Sequence, residues 1–273
     1  MAYFNCRGLA SSEREYEFER NIKKINWDII CLSEVRKKGE KLLSKAHGYV
    51  CYYFGQTKGY RGVGFYIKQT RIKDVEEIRG VSERICFLKI KVGKNVKALI
   101  ISVYAPVLGS EEEELDKFYE ELEDTLNKNK EYYNLLVGDW NSIIGPRKSA
   151  MENIGEFGLG KRNINGERLV DFGIRNNLKI ANTFFQQNKK LKWTWQSPGG
   201  KYKNEIDHML VNDMSIVENV VALPGFRFGS DHRLCRSTIS FPKRARYKNN
   251  NRQKLHQGRK SFPLKLKTKH KRR

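Results

Sequence analysis

Carboxylates, amides and one histidine recur where apolar runs end. Glu34 follows Ile29-Ile30-Cys31-Leu32-Ser33, Asp139 and Asn141 follow Leu135-Leu136-Val137-Gly138, and Tyr104 closes Leu99-Ile100-Ile101-Ser102-Val103. Asn5 sits near the start, Asp207 lies within Glu205 to Val211, and Asp231-His232 follows Phe228-Gly229-Ser230. Taken singly, each is ordinary: a Glu after a strand is a solvated turn residue, and Asp139-Trp140-Asn141 reads as an Asx-rich turn. Taken together, they form an oxygen-rich donor set without a zinc pattern, suited to Mg²⁺ or Mn²⁺. Such a set can hold a cation, activate a water and stabilise a pentacovalent phosphate. The sequence offers no Ser-His-Asp or Cys-His arrangement and no Gly-x-x-x-x-Gly-Lys loop.

These groups must be brought together by the elements that carry them. Residues 11–26 predict a helix, with capping-box spacing at Ser12 and Glu15 and an apolar face of Phe18, Ile22 and Ile25. Residues 27–32, 61–67, 85–92 and 96–104 predict strands, the last two joined by a hairpin at Gly93-Lys94-Asn95. A helix over 111–127 follows, with glutamates in its first turn complementing the helix dipole, then a strand over 132–137. Residues 145–165 are rich in Gly, Asn and Lys and read as a long functional loop. A helix over 166–176 precedes strands near 178–183, 192–195, 204–211 and 233–240. Strands outnumber helices, which argues for layered sheets with helices outside. Sheet folds gather strand ends at one edge, so groups spread over some 200 residues can converge.

The 273 residues are 39% hydrophobic and 11% aromatic, enough for a sizeable core. No run approaches the roughly 18 apolar residues of a membrane span, and Met1-Ala2-Tyr3-Phe4-Asn5 lacks the apolar stretch of a secretory signal. Membrane attachment is not expected. The net charge is +22, and residues 243–273 carry fourteen Lys or Arg with no Asp or Glu, which leaves +8 for residues 1–242. A polyanionic partner is the expectation. Five cysteines without a Cys-x-x-Cys pair suit a reducing compartment and no zinc site.

The ordered motifs Phe4-Asn5-Cys6-Arg7-Gly8-Leu9, Ile30-Cys31-Leu32-Ser33-Glu34, Val103-Tyr104-Ala105-Pro106, Gly138-Asp139-Trp140-Asn141, Ile206-Asp207 and Ser230-Asp231-His232 resemble the endonuclease/exonuclease/phosphatase family, whose fold is shared by DNase I and the abasic-site endonucleases. The resemblance covers about residues 3–240. Gly166 to Phe172, Ile180 to Gln186 and Trp193-Thr194-Trp195-Gln196-Ser197-Pro198-Gly199-Gly200 look like the endonuclease domain of non-LTR retrotransposons of the RTE/BovB-like clade and of craniofacial development protein 2-like host proteins. The resemblance implies an α/β fold, a four-layer sandwich of two central, mostly antiparallel sheets flanked by helices, over a domain of residues 1–241. It implies Glu34 as principal metal ligand, with Asn5 beside it and Asp231 in support, and Asp139 as activator of the attacking water. Asn141 and Tyr104 would hold the phosphate, and His232, oriented by Asp207, would stabilise the developing charge. The implied cofactor is Mg²⁺, with Mn²⁺ as a substitute. The implied product is a nick with a 3′-hydroxyl.

Two departures bear on this. Position 7 is Arg where abasic-site enzymes carry an acidic ligand, which argues against abasic-site repair, and His208 stands where many relatives have Tyr and reads as packing. The chain begins four residues before Asn5, which is expected to clip the first strand, and the 273 residues include no reverse-transcriptase domain. DNA is the expected partner, with RNA as an alternative. Contacts are expected from Arg7, Arg61, Lys161, Arg162, Lys192 and Trp195, with Lys58 and Tyr60 nearby and a β-hairpin over 189–195. A non-catalytic binding module, or a phosphatase of inositol lipids, are the competing readings. The basic tail, 242–273, is expected to be disordered and resembles a nuclear-import signal, hence an expected nuclear location.

Overall fold

The computed structural model describes residues 1–150 and 153–242. The basic tail beyond Pro242 lies outside the described residues. The elements run β1 (Ala2–Asn5), α1 (Ser12–Ile22), β2 (Ile29–Ser33), β3 (Gly39–Lys45), β4 (Tyr49–Gly55), β5 (Val63–Lys68), β6 (Val75–Ser82), β7 (Ile85–Gly93), β8 (Val96–Tyr104), α2 (Glu112–Asn129) and β9 (Tyr133–Asp139). They continue with α3 (Ile164–Arg175), β10 (Lys179–Ile180), α4 (Lys189–Lys192), β11 (Trp195–Gln196), β12 (Lys203–Asn204), β13 (Asp207–Val211), β14 (Val217–Leu223) and β15 (Leu234–Ile239).

Two large sheets form, ordered β14-β15-β1-β2-β5-β4-β3 and β10-β13-β9-β8-β7-β6, with a separate two-stranded sheet of β11 and β12. Among the strands of the described residues, only the β1–β2 and β8–β9 pairings are parallel. One core lies between the sheets, where Tyr3, Cys31 and Phe65 of the first meet Leu88, Leu135, Val137 and Met209 of the second. Helices α2 and α3 cover the outer face of the six-stranded sheet through Phe118, Leu122, Leu169 and Phe172. Helix α1 covers the outer face of the other, its Phe18 stacked on Phe4 and edge-on to Tyr66, Phe226 and Phe228. Burying each such ring is worth about 1.5–3 kcal/mol. This is the four-layer arrangement that the family resemblance implies.

Several boundaries differ from expectation. Helix α1 is capped one residue earlier, by Ser11, whose side chain accepts from the Arg14 amide, and it stops at Ile22. The segment 189–195 is not a β-hairpin: a single helical turn precedes Trp195, and the hairpin pairs β11 with β12. Strands β3, β4, β6 and β14 were not anticipated: β3, β6 and β14 lie at sheet edges, β3 and β6 carry charge in Gly39-Glu40-Lys41 and Glu76-Glu77, and β4 is a buried interior strand. Edge strands of this kind lack the apolar run that marks a buried strand. Strand β1, although short, pairs on both sides, with β2 and β15.

Candidate active site

Register places the polar groups. Asn5 ends β1 opposite Ser33, so Glu34 lies directly beyond it. In the second sheet Tyr104 of β8 and Asp207 of β13 both pair with Asp139 of β9. The strand ends of the two sheets therefore meet at one edge, where the Asn5 amide spans them. Its Nδ2 donates to Glu34 Oε1 and to Asp139 Oδ2, both at 2.9 Å. Asp139 Oδ1 accepts from the Asn141 amide at 3.0 Å. His232 donates from Nδ1 to Asp207 Oδ2 at 2.9 Å, and its Nε2 stands 3.7 Å from Asp139 Oδ2. The Ser230 hydroxyl ties this loop to β1 by donating to the Asn5 carbonyl.

The backbone is bent to present these side chains. Arg7, Glu34, Arg36 and Asn141 adopt φ of 47°, 51°, 54° and 49°. For non-glycine residues such turns cost about 1–3 kcal/mol each and cluster at functional sites. They line a cleft of about 620 Å³ with Tyr104, Asp139, Trp195, Asp231 and His232.

Electrostatics follow from burial. The Asp139 carboxyl is pushed up by burial and by the neighbouring Asp207 charge, with His232 opposing. Burial counts against a charged His232, but Asp207 and then Asp139 outweigh it and move its pKa up. The site thus favours imidazolium beside carboxylates. Glu34 is held below the usual carboxylate range: burial works against it, and hydrogen bonds from Asn5 and Arg36 overcome it. Tyr104 is pushed far up by burial and by Glu34, so its hydroxyl stays a donor.

The expected DNA-contact residues separate into two groups. Arg7, Arg61 and Trp195 line the cleft. Arg7 pairs with Asp231 at 3.2 Å, the Trp195 indole donates to the same oxygen, and Arg61 pairs with Glu83 and Glu114. Lys161 is exposed on the loop before α3. Lys192 and Arg162 are corrections, because both are buried. Lys192 Nζ donates to the Asn182 carbonyl at 2.8 Å and faces Glu205 at 3.3 Å, while Arg162 donates to the Ile144 carbonyl and pairs with Glu167. They staple loops rather than face a ligand. His208 is buried against the Ser142 carbonyl, and burial lowers its pKa to about 4, as suits a neutral packing residue.

Three residues escaped the sequence reading. Arg36 pairs with Glu34 Oε2 at 2.5 Å. Thr194 Oγ1 accepts from the amides of Ile206 and Asp207, and Asn182 Nδ2 donates to the Asp207 carbonyl, fixing Asp207 from both sides. The short interval in Glu34-Val35-Arg36 was the signal for the first; Thr194 and Asn182 lie within the stretches Trp193 to Gly200 and Ile180 to Gln186 that carry the family resemblance, which gave them no individual role.

A sequence model of the endonuclease/exonuclease/phosphatase family matches residues 2–232. The chain belongs to that family. It is 32% identical over 219 residues to craniofacial development protein 2 of Tragulus javanicus and of Bos taurus, covering 79% of this chain and 38% and 37% of theirs. The chain thus spans less than two-fifths of the length of these curated relatives. Among solved structures, AP endonuclease LMAP from Leishmania major superposes with a TM-score of 0.67 at 14% identity, over 88% of this chain and 87% of that one. The 3′-5′ exonuclease NExo from Neisseria meningitidis gives 0.65 at 15% identity, over 88% and 99%. A second structure, of the 3′ phosphatase NExo from Neisseria bound to a product DNA hairpin, gives 0.63 at 16% identity, over 88% and 98%. These likenesses establish the fold, and the family makes a nuclease or phosphatase type of hydrolase the coarse reading.

The donor set fits the hard divalent cation that this family implies. Glu34 and Asp231 both line the cleft, and Asp231 Oδ1 is buried without a hydrogen-bond partner among the described residues. An orphaned carboxylate oxygen on one residue of a cleft that a second carboxylate also lines suits an oxygen-seeking cation. Asp139, Asp207 and His232 form a tighter group, with ligand atoms within 4.8 Å of one another. The hydrogen bonds within it favour proton handling.

Proposed function

We propose that the chain is a divalent-metal-dependent DNA endonuclease that nicks a phosphodiester and leaves a 3′-hydroxyl, as retrotransposon target-primed reverse transcription requires. The observation that carries this reading is the double donation of Asn5, which joins Glu34 to Asp139, with His232 facing the same Asp139 oxygen. Mg²⁺, or Mn²⁺ in its place, would be held by Glu34, Asn5 and Asp231. When bound, it neutralises the phosphodiester and makes water more acidic.

The chain's own residues do the rest. Asp139, held at Oδ1 by the Asn141 amide, accepts the proton of the attacking water at Oδ2. His232, kept cationic by Asp207, places Nε2–H against the developing phosphoryl charge. The Tyr104 hydroxyl donates to the same phosphate. Asn141, whose Nδ2 is anchored on the Ala105 carbonyl, fixes the turn that aims it there. Arg7 and Arg61, beside them in the cleft, would follow the backbone of the strand.

Nicking of supercoiled plasmid tests this directly. Relaxed circles are expected with Mg²⁺ and not with excess EDTA, and restored Mg²⁺ should recover the activity. A chain that binds plasmid but never nicks it with Mg²⁺ or Mn²⁺ would be a binding module instead.

Nuclear residence is a further part of the proposal and rests on the basic sequence 242–273. Fused to an inert reporter, this segment is expected to carry it into nuclei. A reporter left in the cytoplasm rejects the assignment.

A further inference from the structure

Tyr104 is the last residue of β8 and stands one position beyond the final β7–β8 pair, Ile85 with Val103. A half-buried ring at a strand end needs something to fix it, and Arg84, in the turn before β7, does so. The Tyr104 amide donates to the Arg84 carbonyl at 2.9 Å, and the Arg84 guanidinium donates back to the Tyr104 carbonyl at 3.0 Å. The same guanidinium lies over the Tyr104 ring, 5.3 Å from its centre, within the range of a cation–π contact. One residue thus engages the backbone donor, the backbone acceptor and the ring of Tyr104.

Packing alone does not account for this choice of residue. Arg84 is 9% exposed, and its Nε is buried without a hydrogen-bond partner among the described residues. Its charge is met by Glu114 Oε1, in the first turn of α2, at 2.7 Å, and that oxygen is shared with Arg61 at 2.5 Å. Burying a guanidinium with an orphaned donor and half of a carboxylate adds little to stability, and an apolar side chain of similar volume often does as well or better. What an apolar side chain cannot supply is a rigid, planar cation bonded at two points and lying over a ring. That device fixes orientation.

Tyr104 lines the cleft and Arg84 does not. We propose that Arg84 is a positioning residue, which fixes the Tyr104 ring so that its hydroxyl points at the phosphate position and which reaches the reaction only through that ring. Glu114 holds Arg84 in turn, so the first turn of α2 is part of the same support. The other side of Tyr104 is secured independently, by its register with Asp139 and by the Ala105 amide on the Asp139 carbonyl. Removing Arg84 therefore frees the ring and leaves the strand in place. This rests on the nuclease reading and adds to it a residue outside the cleft.

Hydrolysis of bis-p-nitrophenyl phosphate with Mn²⁺ needs no target sequence and gives kcat and KM separately. Arg84→Met is expected to lower kcat about tenfold, as misplacing a contributing group does, with KM within about twofold of native. Its thermal midpoint should stay within a few degrees of native, since Glu114 keeps Arg61. Tyr104→Phe should lower kcat about 10²-fold, the scale of one lost donor. In the Tyr104→Phe background, Arg84→Met should cost nothing further. A tenfold loss in that background as well would mean that Arg84 supports the fold at large, and it overturns the proposal. So does a native kcat in Arg84→Met. Arg84→Lys, which keeps the charge without the planar fork, should recover part of the rate, and it carries the same comparison if the methionine variant does not fold. A second measurement separates this from failure of the nuclease reading. 3-Fluorotyrosine placed at position 104 reports the ring by fluorine NMR in EDTA, without any chemistry. One narrow resonance is expected with Arg84, and a shifted, broadened one in Arg84→Lys; coincident spectra overturn the proposal. If the native chain hydrolyses neither the ester nor plasmid DNA, the nuclease reading fails, and the fluorine comparison still decides whether Arg84 fixes the ring.

Discussion

Asp139→Asn and His232→Ala are each expected to reduce plasmid nicking by about 10²–10⁴-fold, the range over which a positioned acid or base contributes. Asp139 is 1% exposed, and its two oxygens are already committed, Oδ1 to the Asn141 amide and Oδ2 to Asn5 Nδ2. An amide keeps the shape and one acceptor but cannot take a proton from water. His232→Ala removes the imidazolium and leaves Asp207, buried on β13, without its partner. Asp207→Asn should act through the ring: the Nδ1–H that now points at a carboxylate loses the charge that keeps it cationic. Its nicking is expected to fall as well, with the pH profile moving to lower pH as the imidazolium is lost earlier.

The three positions act as one unit, so the losses should not multiply. Asp139→Asn/His232→Ala is expected to retain about as much activity as the worse single variant. Single-turnover nicking at saturating Mg²⁺, with thermal melts run alongside, separates loss of chemistry from loss of fold. Full multiplication of the two losses, or native rates in either single variant, would remove these residues from the reaction.

How the sequence disclosed this site is a matter of periodicity and register. The strands that carry it, β2, β8 and β9, are buried along nearly their whole length and so read as plain apolar runs, each finished by a polar group. Their ends, and hence Glu34, Tyr104 and Asp139, stood out without any knowledge of pairing. What the runs could not disclose was that Tyr104 and Asp207 lie in register with Asp139, because pairing between distant strands leaves no local trace. The same limit explains the two misplaced cations. Lys192 in Lys189-Lys190-Leu191-Lys192 and Arg162 in Lys161-Arg162 sit in basic stretches that look uniformly solvated. Tertiary packing selects one member of each and buries it against a carboxylate or carbonyl. Arg7 and Trp195 came out as cleft residues because they lie within motifs that were themselves legible, although both hold Asp231.

Lys192 supplies the largest expected effect on stability. Lys192→Ala should cost about 3–5 kcal/mol, because it strands a buried charge. Glu205 is 3% exposed, and without Lys192 it would keep only neutral partners, the Leu159 amide at 3.1 Å and the Asn182 side chain. The ammonium also holds the Asn182 carbonyl, and Asn182 in turn fixes Asp207, so the loss reaches the site. The pH dependence gives the result its signature. Burial raises the Glu205 pKa to about 7, with Lys192 opposing, so removing Lys192 raises it further. Between the ordinary carboxylate value and the raised one, the folded chain keeps a proton that the unfolded chain has lost. Stability therefore falls as pH rises through that window, and in the variant the fall continues to higher pH. The deficit of Lys192→Ala is expected to be largest at pH 8 and to shrink toward pH 5, where Glu205 is neutral in both proteins. Lys192→Met/Glu205→Leu, which removes both charges and fills the space, should recover most of the loss at every pH. Urea unfolding of the three proteins at pH 5 and pH 8 decides the matter. A deficit that is the same at both pH values would mean that Lys192 contributes packing and carbonyl contacts rather than neutralising Glu205.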